Sequence, residues 1–497
     1  MMPTARLSGR TLASLSATVR RPAYDRNRLG IGMAHLGVGA FHRCHQAEFT
    51  DDMLEQHFGD WGVVGINLRP PLLGETLGVQ DGLYSRTLRR GSESETRVIG
   101  CIRRVIDGGN DIAGAIDAIA APEISVVTIT VTEKGYCHVP ASGKLDERHP
   151  EVVHDLANPS RPRSAIGLLA EALDRRRLAH DKGLTLISCD NIPSNGKVLR
   201  DVLLAFAEGR SSELAAWIRN ETCFPSTMVD RIVPASQAED FERATMACGL
   251  EDHAAVVGEP FRQWVLEDAF RGPRPEWDLA GAEFVSDVRP YELVKMRLLN
   301  AAQSAWAYLG ALAGLEFTFQ SARDPLLGQL VTEMLVEESA PTVPDVPSMR
   351  ATSYIPSVVD RVRNDAVCHT NHQVATDGSQ KIVQRFLNPI RDRLHAGERH
   401  GILALGVAGW IAYLFAGTSR FGNRWTAQDP WAERIGSLAL HHGEAAAAVK
   451  EIVAIEPIFG NDLRSDEFVA LLAMHVEGLL SANPHRYIAR QVAARSR

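Results

Sequence analysis

The chain has 497 residues, too many for one ordinary core, so two domains are expected. Hydrophobic residues make up 45% and charged residues 23%, the profile of a soluble globular protein, and a formal net charge of −8 with scattered basic residues argues against a nucleic-acid surface. Seven widely spaced cysteines form no CxxC pair, which signals neither a zinc site nor a disulfide framework and points to a reducing, cytoplasmic setting.

The first 28 residues are rich in Arg and Ser and carry no acid before Asp25, as an organelle transit peptide would. They lack a clean amphipathic repeat, however, and run straight into a strand over Gly30–Gly37. Two glycines then stand at Gly37 and Gly39, ahead of a helix over His42–His57. A glycine turn between strand and helix lets backbone approach a pyrophosphate, whose charge the helix start favours. The third glycine of the dinucleotide fingerprint is absent, and His42 stands there after Phe41. A second strand, Trp61–Leu68, should end on the acid that holds the adenosine ribose, but it ends Asn67-Leu68-Arg69-Pro70. Arg69 can pair with a 2′-phosphate and so favour NADP, or it can stack on adenine or be solvated, so these residues leave the choice between NAD and NADP open.

Ile124–Thr132 is β-branched almost throughout and reads as a buried parallel strand, followed by Thr132-Glu133-Lys134-Gly135-Tyr136. Glu133, at that strand end, is a candidate for proton relay or ribose binding, or simply caps a turn. A helix over Ala165–Asp181 leads to the strand Leu184–Ser188 and then to Cys189-Asp190-Asn191-Ile192-Pro193-Ser194-Asn195. Polar residues crowded at a strand end are expected of a site, though Asn191 or Asn195 could merely cap the next helix. Further on, Asp230 and Arg231 admit the plain reading of a structural ion pair. Strands alternating with helices indicate an α/β, doubly wound sheet.

After Val288 the pattern turns helical, so the domains are expected at residues 1–288 and 289–497, with breaks near Ala340–Pro356 and Gly422–Pro430. On an ideal helix, at about 100° per residue, Glu292, Lys295, Asn300 and Gln303 share an arc of roughly 140°. On those grounds alone a solvated face explains them best. Gln373 and Asp377 through Lys381, with Arg385 one turn beyond, form the last polar cluster. The apolar run Gly401–Ala416 is too short for a membrane span and reads as a buried helix.

Together the ordered motifs G-V-G-A-F-H-R-C-H-Q-A from Gly37, T-E-K-G-Y from Thr132, S-C-D-N-I-P-S-N-G from Ser188, F-P-S-T-M-V-D-R-I-V-P from Phe224 and K-x(4)-N at Lys295 and Asn300 resemble the mannitol dehydrogenase family of polyol-specific long-chain dehydrogenases. The resemblance runs from Leu7 to Gly460 and disposes of the transit-peptide reading. Gln80–Tyr84, His149–Pro159 and Gln373–Lys381 look most like the fructuronate reductases of that family, while mannitol 2-dehydrogenases share most of the rest.

The resemblance implies a Rossmann-type N-terminal domain and a mostly helical C-terminal domain, with substrate in the cleft between. It implies an NAD(P)-dependent oxidoreductase of the D-mannonate/D-fructuronate or D-mannitol/D-fructose type, a small-molecule partner, and a monomer or small homo-oligomer. Gly37, Gly39, Phe41, His42, Arg69 and Glu133 would bind cofactor. Lys295 would be the general base, with Asn191 and Asn300 on the reacting oxygen and Glu292 in proton relay. Asp230, Gln373, Lys381 and Arg385 would bind substrate hydroxyls or a carboxylate. A desolvated lysine loses affinity for its proton and can accept one from an alcohol, and amide donors stabilise the alkoxide-like oxygen, so no metal is required. One departure stands out: the family continues K-x(4)-N-x(2)-H, and that histidine is Gln303 here. Glutamine can donate a hydrogen bond but cannot titrate, which motivates the competing reading of a weakly catalytic, cofactor-binding protein with a regulatory role.

Overall fold

A computed structural model of the chain describes residues 5–139, 143–418, 422, 424–442 and 444–495. The contacts divide the chain into two compact units, Met1–Arg289 and Pro290–Arg497.

Six parallel strands build the first unit: β1 Ile31–Leu36, β2 Gly62–Asn67, β3 Ile102–Asp107, β4 Val126–Ile129, β5 Leu184–Ser188 and β6 Thr222–Cys223. Their order is β6-β5-β4-β1-β2-β3. The chain winds outward from β1 in both directions, so a topological switch point opens between β1 and β4, where loops leave to opposite faces. β2, β4 and β5 are buried along their whole length, as a sheet covered by helices on both faces requires. Registers level the strand ends: Leu36 pairs with Ile66 and with Ile129, and Ile129 pairs with Ser188. The carboxyl edge thus presents Gly37, Asn67, Thr130 and Cys189 at one height.

The helix expected over His42–His57 is two pieces, α1 Ala40–Cys44 and α2 Gln46–Gln56, broken at His45 with φ −133° and ψ −88°. Glu48 on α2 explains part of this packing. Its buried carboxylate pairs with Arg86 at 3.1 Å and with Arg231. Arg86 lies on an antiparallel hairpin, Tyr84–Arg90 with Glu93–Ile99, which carries no strong alternation and was not anticipated from the sequence. β4 is shorter than Ile124–Thr132, because the backbone turns away after Ile129 and Thr132 sits at φ +63°. The segment from Ala5 onward belongs to the fold: Leu7 is fully buried with Val19, Leu83, Val98 and Leu250.

The second unit is helical. Gly401–Ala416 is one helix whose residues from Ile402 on are all buried. Gly406 makes this possible, since a Cβ there would lie 2.7 Å from the Phe386 ring. Pro356 does not break the chain as expected but lies inside the helix Ala351–Val362; the break falls before it. Of the second expected break, residue 423 lies outside the described residues, and 424–429 are irregular. No described helix is long and apolar enough to cross a membrane.

Candidate active site

At the switch point the two glycines have separate reasons. Gly37 has φ +96°, and a Cβ would meet the Thr130 carbonyl oxygen at 2.1 Å, so the turn itself excludes a side chain. Gly39 has φ −93°, and a Cβ there would find nothing nearer than 3.9 Å. Its missing side chain leaves open space rather than relieving a clash. Gly39 precedes α1 without a side-chain cap, leaving the first-turn N–H groups of α1 to other acceptors. Asn67, at the end of β2, locks the turn: its Oδ1 accepts from the Val38 N–H at 2.7 Å and its Nδ2 donates to the Pro71 carbonyl at 3.2 Å.

These groups wall a cavity of about 230 Å³ lined by Gly37, Gly39, Asn67, Arg69, Val131 and Glu151, among others. Glycine-lined backbone on one side and charged side chains on the other match the needs of a dinucleotide. Arg69 is ion-paired with Glu151, at the start of the helix α3 Pro150–Ala157. Glu151 escaped the sequence reading. Its only signal is an acid following His149-Pro150 at a helix start, and nothing in the spacing says that α3 reaches the β2 end. Phe41 stacks on His45 with ring centroids 5.0 Å apart. His42 is buried and stacked on His35, 3.3 Å between centroids, and burial holds its pKa well below the ordinary value, so it stays neutral.

The Thr132–Tyr136 and Ser188–Gly196 motifs meet through Asp190, a residue to which the sequence reading gave no role. Its Oδ1 accepts from Thr132 N–H at 2.9 Å, and its Oδ2 accepts from Val131 N–H at 3.1 Å and from the Tyr136 hydroxyl at 2.8 Å. Burial pushes this carboxyl up to about 6, while the three donors pull the other way. Asn195 does not cap a helix; its Nδ2 donates to the carbonyls of Asp190 and Thr227, each at 3.0 Å. Asn191 is exposed at the start of the loop, and Glu133 is half-buried in the turn. Asp230 ends the strand Thr227–Asp230, 2% exposed, and Arg231 is paired with Glu48.

Among the described residues one cluster has metal-ligand chemistry: Cys137, His149 and Glu151 place ligand atoms within 4.8 Å of one another. The Glu151 carboxylate there is already on Arg69.

In the second unit, Glu292 and Lys295 lie on the helix Arg289–Lys295, Asn300 ends the π-turn Met296–Asn300, and Gln303 lies on Ala301–Leu312. The π-turn inserts an extra residue and rotates all that follows, so the ideal-helix arc does not describe this segment. Lys295 is 6% and Asn300 5% exposed, which replaces the solvated face with a buried one. Glu292 and Gln303 are half-buried. The Asn300 Oδ1 accepts no hydrogen bond among the described residues.

Another π-turn, Val383–Leu387, carries Arg385, whose Nη1 donates to the Asn300 carbonyl at 3.1 Å and to Ser304 Oγ at 2.7 Å. Burial lowers its pKa to about 10. Lys381 donates to the carbonyls of Val374, at 3.3 Å, and Thr376. Gln373 is exposed, and its Oε1 accepts from Thr370 N–H at 3.0 Å in a capping box.

The chain matches the family models "Mannitol dehydrogenase Rossmann domain" over residues 31–279 and "Mannitol dehydrogenase C-terminal domain" over residues 287–480. It is 38% identical to the D-mannonate oxidoreductase of Escherichia coli over 484 residues, 96% of this chain and 99% of that one. It is 34% identical to a mannitol 2-dehydrogenase of Pyricularia oryzae over 474 residues, covering 93% and 94% of the two chains. Its structure is similar to that of the Pseudomonas fluorescens mannitol 2-dehydrogenase solved with NAD and D-mannitol, with a TM-score of 0.90, 35% identity, and 98% and 99% of the chains covered.

Proposed function

This chain belongs to the mannitol dehydrogenase family, and from that premise we propose that it is an NAD-dependent oxidoreductase interconverting a secondary alcohol of a sugar acid or sugar alcohol with its ketone. The observation that carries the reading is similarity over nearly the whole chain to an NAD and D-mannitol complex, in a protein that keeps the glycine-turn cavity. Nicotinamide, when bound, supplies the hydride acceptor. Gly37 and Gly39 give backbone access to the pyrophosphate, and Asn67 holds their turn in shape. NAD is proposed ahead of NADP because Glu151 engages the Arg69 guanidinium, the group otherwise suited to a 2′-phosphate.

Lys295 is proposed as the base that takes the hydroxyl proton, with no metal in the step. Its burial keeps water from competing for that proton. The side-chain amides of Asn191 and Asn300 donate to the oxygen as it gains charge. Glu292 serves proton relay, Glu133 binds cofactor, and Gln303 adds a neutral hydrogen bond to the substrate. Asp230 and Gln373 bind hydroxyls. An acidic sugar of the D-mannonate/D-fructuronate type is the proposed substrate, supported by the 38% identity to D-mannonate oxidoreductase. Lys381 and Arg385 are the cations proposed for its carboxylate. Arg385 uses Nη1 on Asn300 and Ser304, and a guanidinium has further donors to offer. A reducing cytoplasm suits the seven free cysteines.

Lys295→Ala tests the assignment. Turnover should fall by about 10² to 10⁴-fold, the usual worth of a positioned proton-transfer group, with NADH binding unchanged by fluorescence titration. Near-normal turnover in a folded variant would remove Lys295 from the mechanism.

A further inference from the structure

We infer that Asp190 is a positioning residue: its carboxylate clamps the turn Val131–Thr132 in a backbone shape that threonine does not hold unaided, and so fixes one wall of the dinucleotide cavity. Thr132 has φ +63° and ψ 166°, a region almost confined to glycine because a Cβ there crowds the backbone. A β-branched residue makes the conflict worse. Such a conformation persists only where its surroundings over-determine it.

The surroundings that do so are those of Asp190. Its two oxygens take the consecutive N–H groups of Val131 and Thr132 and also the Tyr136 hydroxyl. Those three donors bracket the turn from both ends, since Tyr136 closes the segment that Val131 opens. An ionised carboxylate is all acceptor, so it suits three donors; an amide must present an N–H to one of them. The clamp is itself anchored. Tyr136 Oη lies 2.5 Å from Ser188 Oγ at the end of β5, and Asn195 holds the Asp190 carbonyl.

The turn matters because Val131 and Gly135 line the cavity and Glu133 lies between them. Asp190 therefore acts through its neighbours and touches neither cofactor nor substrate in this account. The inference rests on the cofactor reading given above. A carboxylate that merely satisfied buried N–H groups would affect stability alone, whereas a clamp on a strained wall predicts coupling between residue 190 and residue 132.

The test compares the full-length wild type with Asp190→Asn, Thr132→Gly and the double variant. NADH affinity is read by intrinsic fluorescence titration and Tm by calorimetry. Asp190→Asn leaves one backbone N–H facing an amide N–H, and NADH binding should weaken about ten-fold, the scale of one lost charged hydrogen bond. Glycine adopts the turn without a clamp, so Thr132→Gly in the Asp190→Asn background should recover most of that loss. Normal NADH binding by Asp190→Asn, or an equal loss in both backgrounds, would overturn the inference. If Asp190→Asn does not fold, the double variant must fold and bind; failure of both would make Asp190 a core residue only. Absence of NADH binding by the wild type would instead sink the cofactor reading. The coupling would then be read from Tm, where failure of Thr132→Gly to restore stability would overturn the clamp as well.

Discussion

Gly37 and Gly39 look alike in the sequence and differ in what a methyl group would do. Gly37→Ala must hold φ +96° against the Thr130 carbonyl, so unfolding by denaturant should show a loss of at least about 2 kcal/mol, the scale of backbone strain at a glycine-only position. Gly39→Ala meets no atom within 3.9 Å and should leave stability within about 0.5 kcal/mol, while NADH affinity falls because the methyl takes the space left for the cofactor. Equal stability losses in both would mean that Gly39 is structural too. Gln303 stands where the family resemblance led a histidine to be expected. Gln303→His should raise kcat on a family substrate by about 1 to 2 kcal/mol of barrier, the scale of one improved hydrogen bond to a charged group. It should also add an inflection near neutral pH to the rate profile. An unchanged rate and profile on every substrate would place this side chain away from the reacting atoms.

Among the elements, the π-turns that carry Asn300 and Arg385 are the feature that the sequence hid most completely. Lys295 and Asn300 were legible as a motif, but periodicity assumes an unbroken α-helix, and nothing in Met296–Asn300 announces an extra residue. The same limit explains Arg385. Spacing placed it one turn beyond Lys381, and its contacts with Asn300 and Ser304 come from a packing that periodicity does not encode. Of the parallel strands, β1, β2, β4 and β5 were readable because burial leaves apolar runs, whereas β3 and β6, at the two edges of the sheet, were not. The hairpin Tyr84–Arg90 and Glu93–Ile99 was not, since its charged residues are satisfied by long-range pairs such as Arg97 with Asp51 at 2.8 Å. The carboxylates Asp190 and Glu151, which hold the Val131–Thr132 backbone and the Arg69 guanidinium, were visible as letters only. Their roles depend on which strand end they reach. A specificity test belongs to the cluster Lys381 and Arg385. Lys381→Ala should raise KM for D-fructuronate about ten-fold or more, the worth of one charge-assisted contact, and barely change it for D-fructose. Arg385→Lys should add a loss of stability, because a buried donor pair is broken. Equal KM effects on both sugars would point to a mannitol-type substrate instead.

At the scale of the whole molecule, the two units, Met1–Arg289 and Pro290–Arg497, carry different parts of the proposed chemistry. The first holds the dinucleotide cavity and Asn191; the second holds Lys295 and Asn300. With Lys295 proposed as the base and no metal in the step, activity should survive exhaustive chelation, and loss with EDTA that a divalent metal restores would count against the lysine mechanism.

The proposed activity is measured most directly with EDTA-treated enzyme at neutral pH. NADH and NADPH oxidation would be followed by absorbance with D-fructuronate, D-tagaturonate, D-fructose and L-sorbose. Ketone-dependent oxidation of NADH is expected, faster than that of NADPH, with D-fructuronate the best of the four substrates. NADH binding without turnover of any of them would contradict it and favour a regulatory cofactor-binding protein.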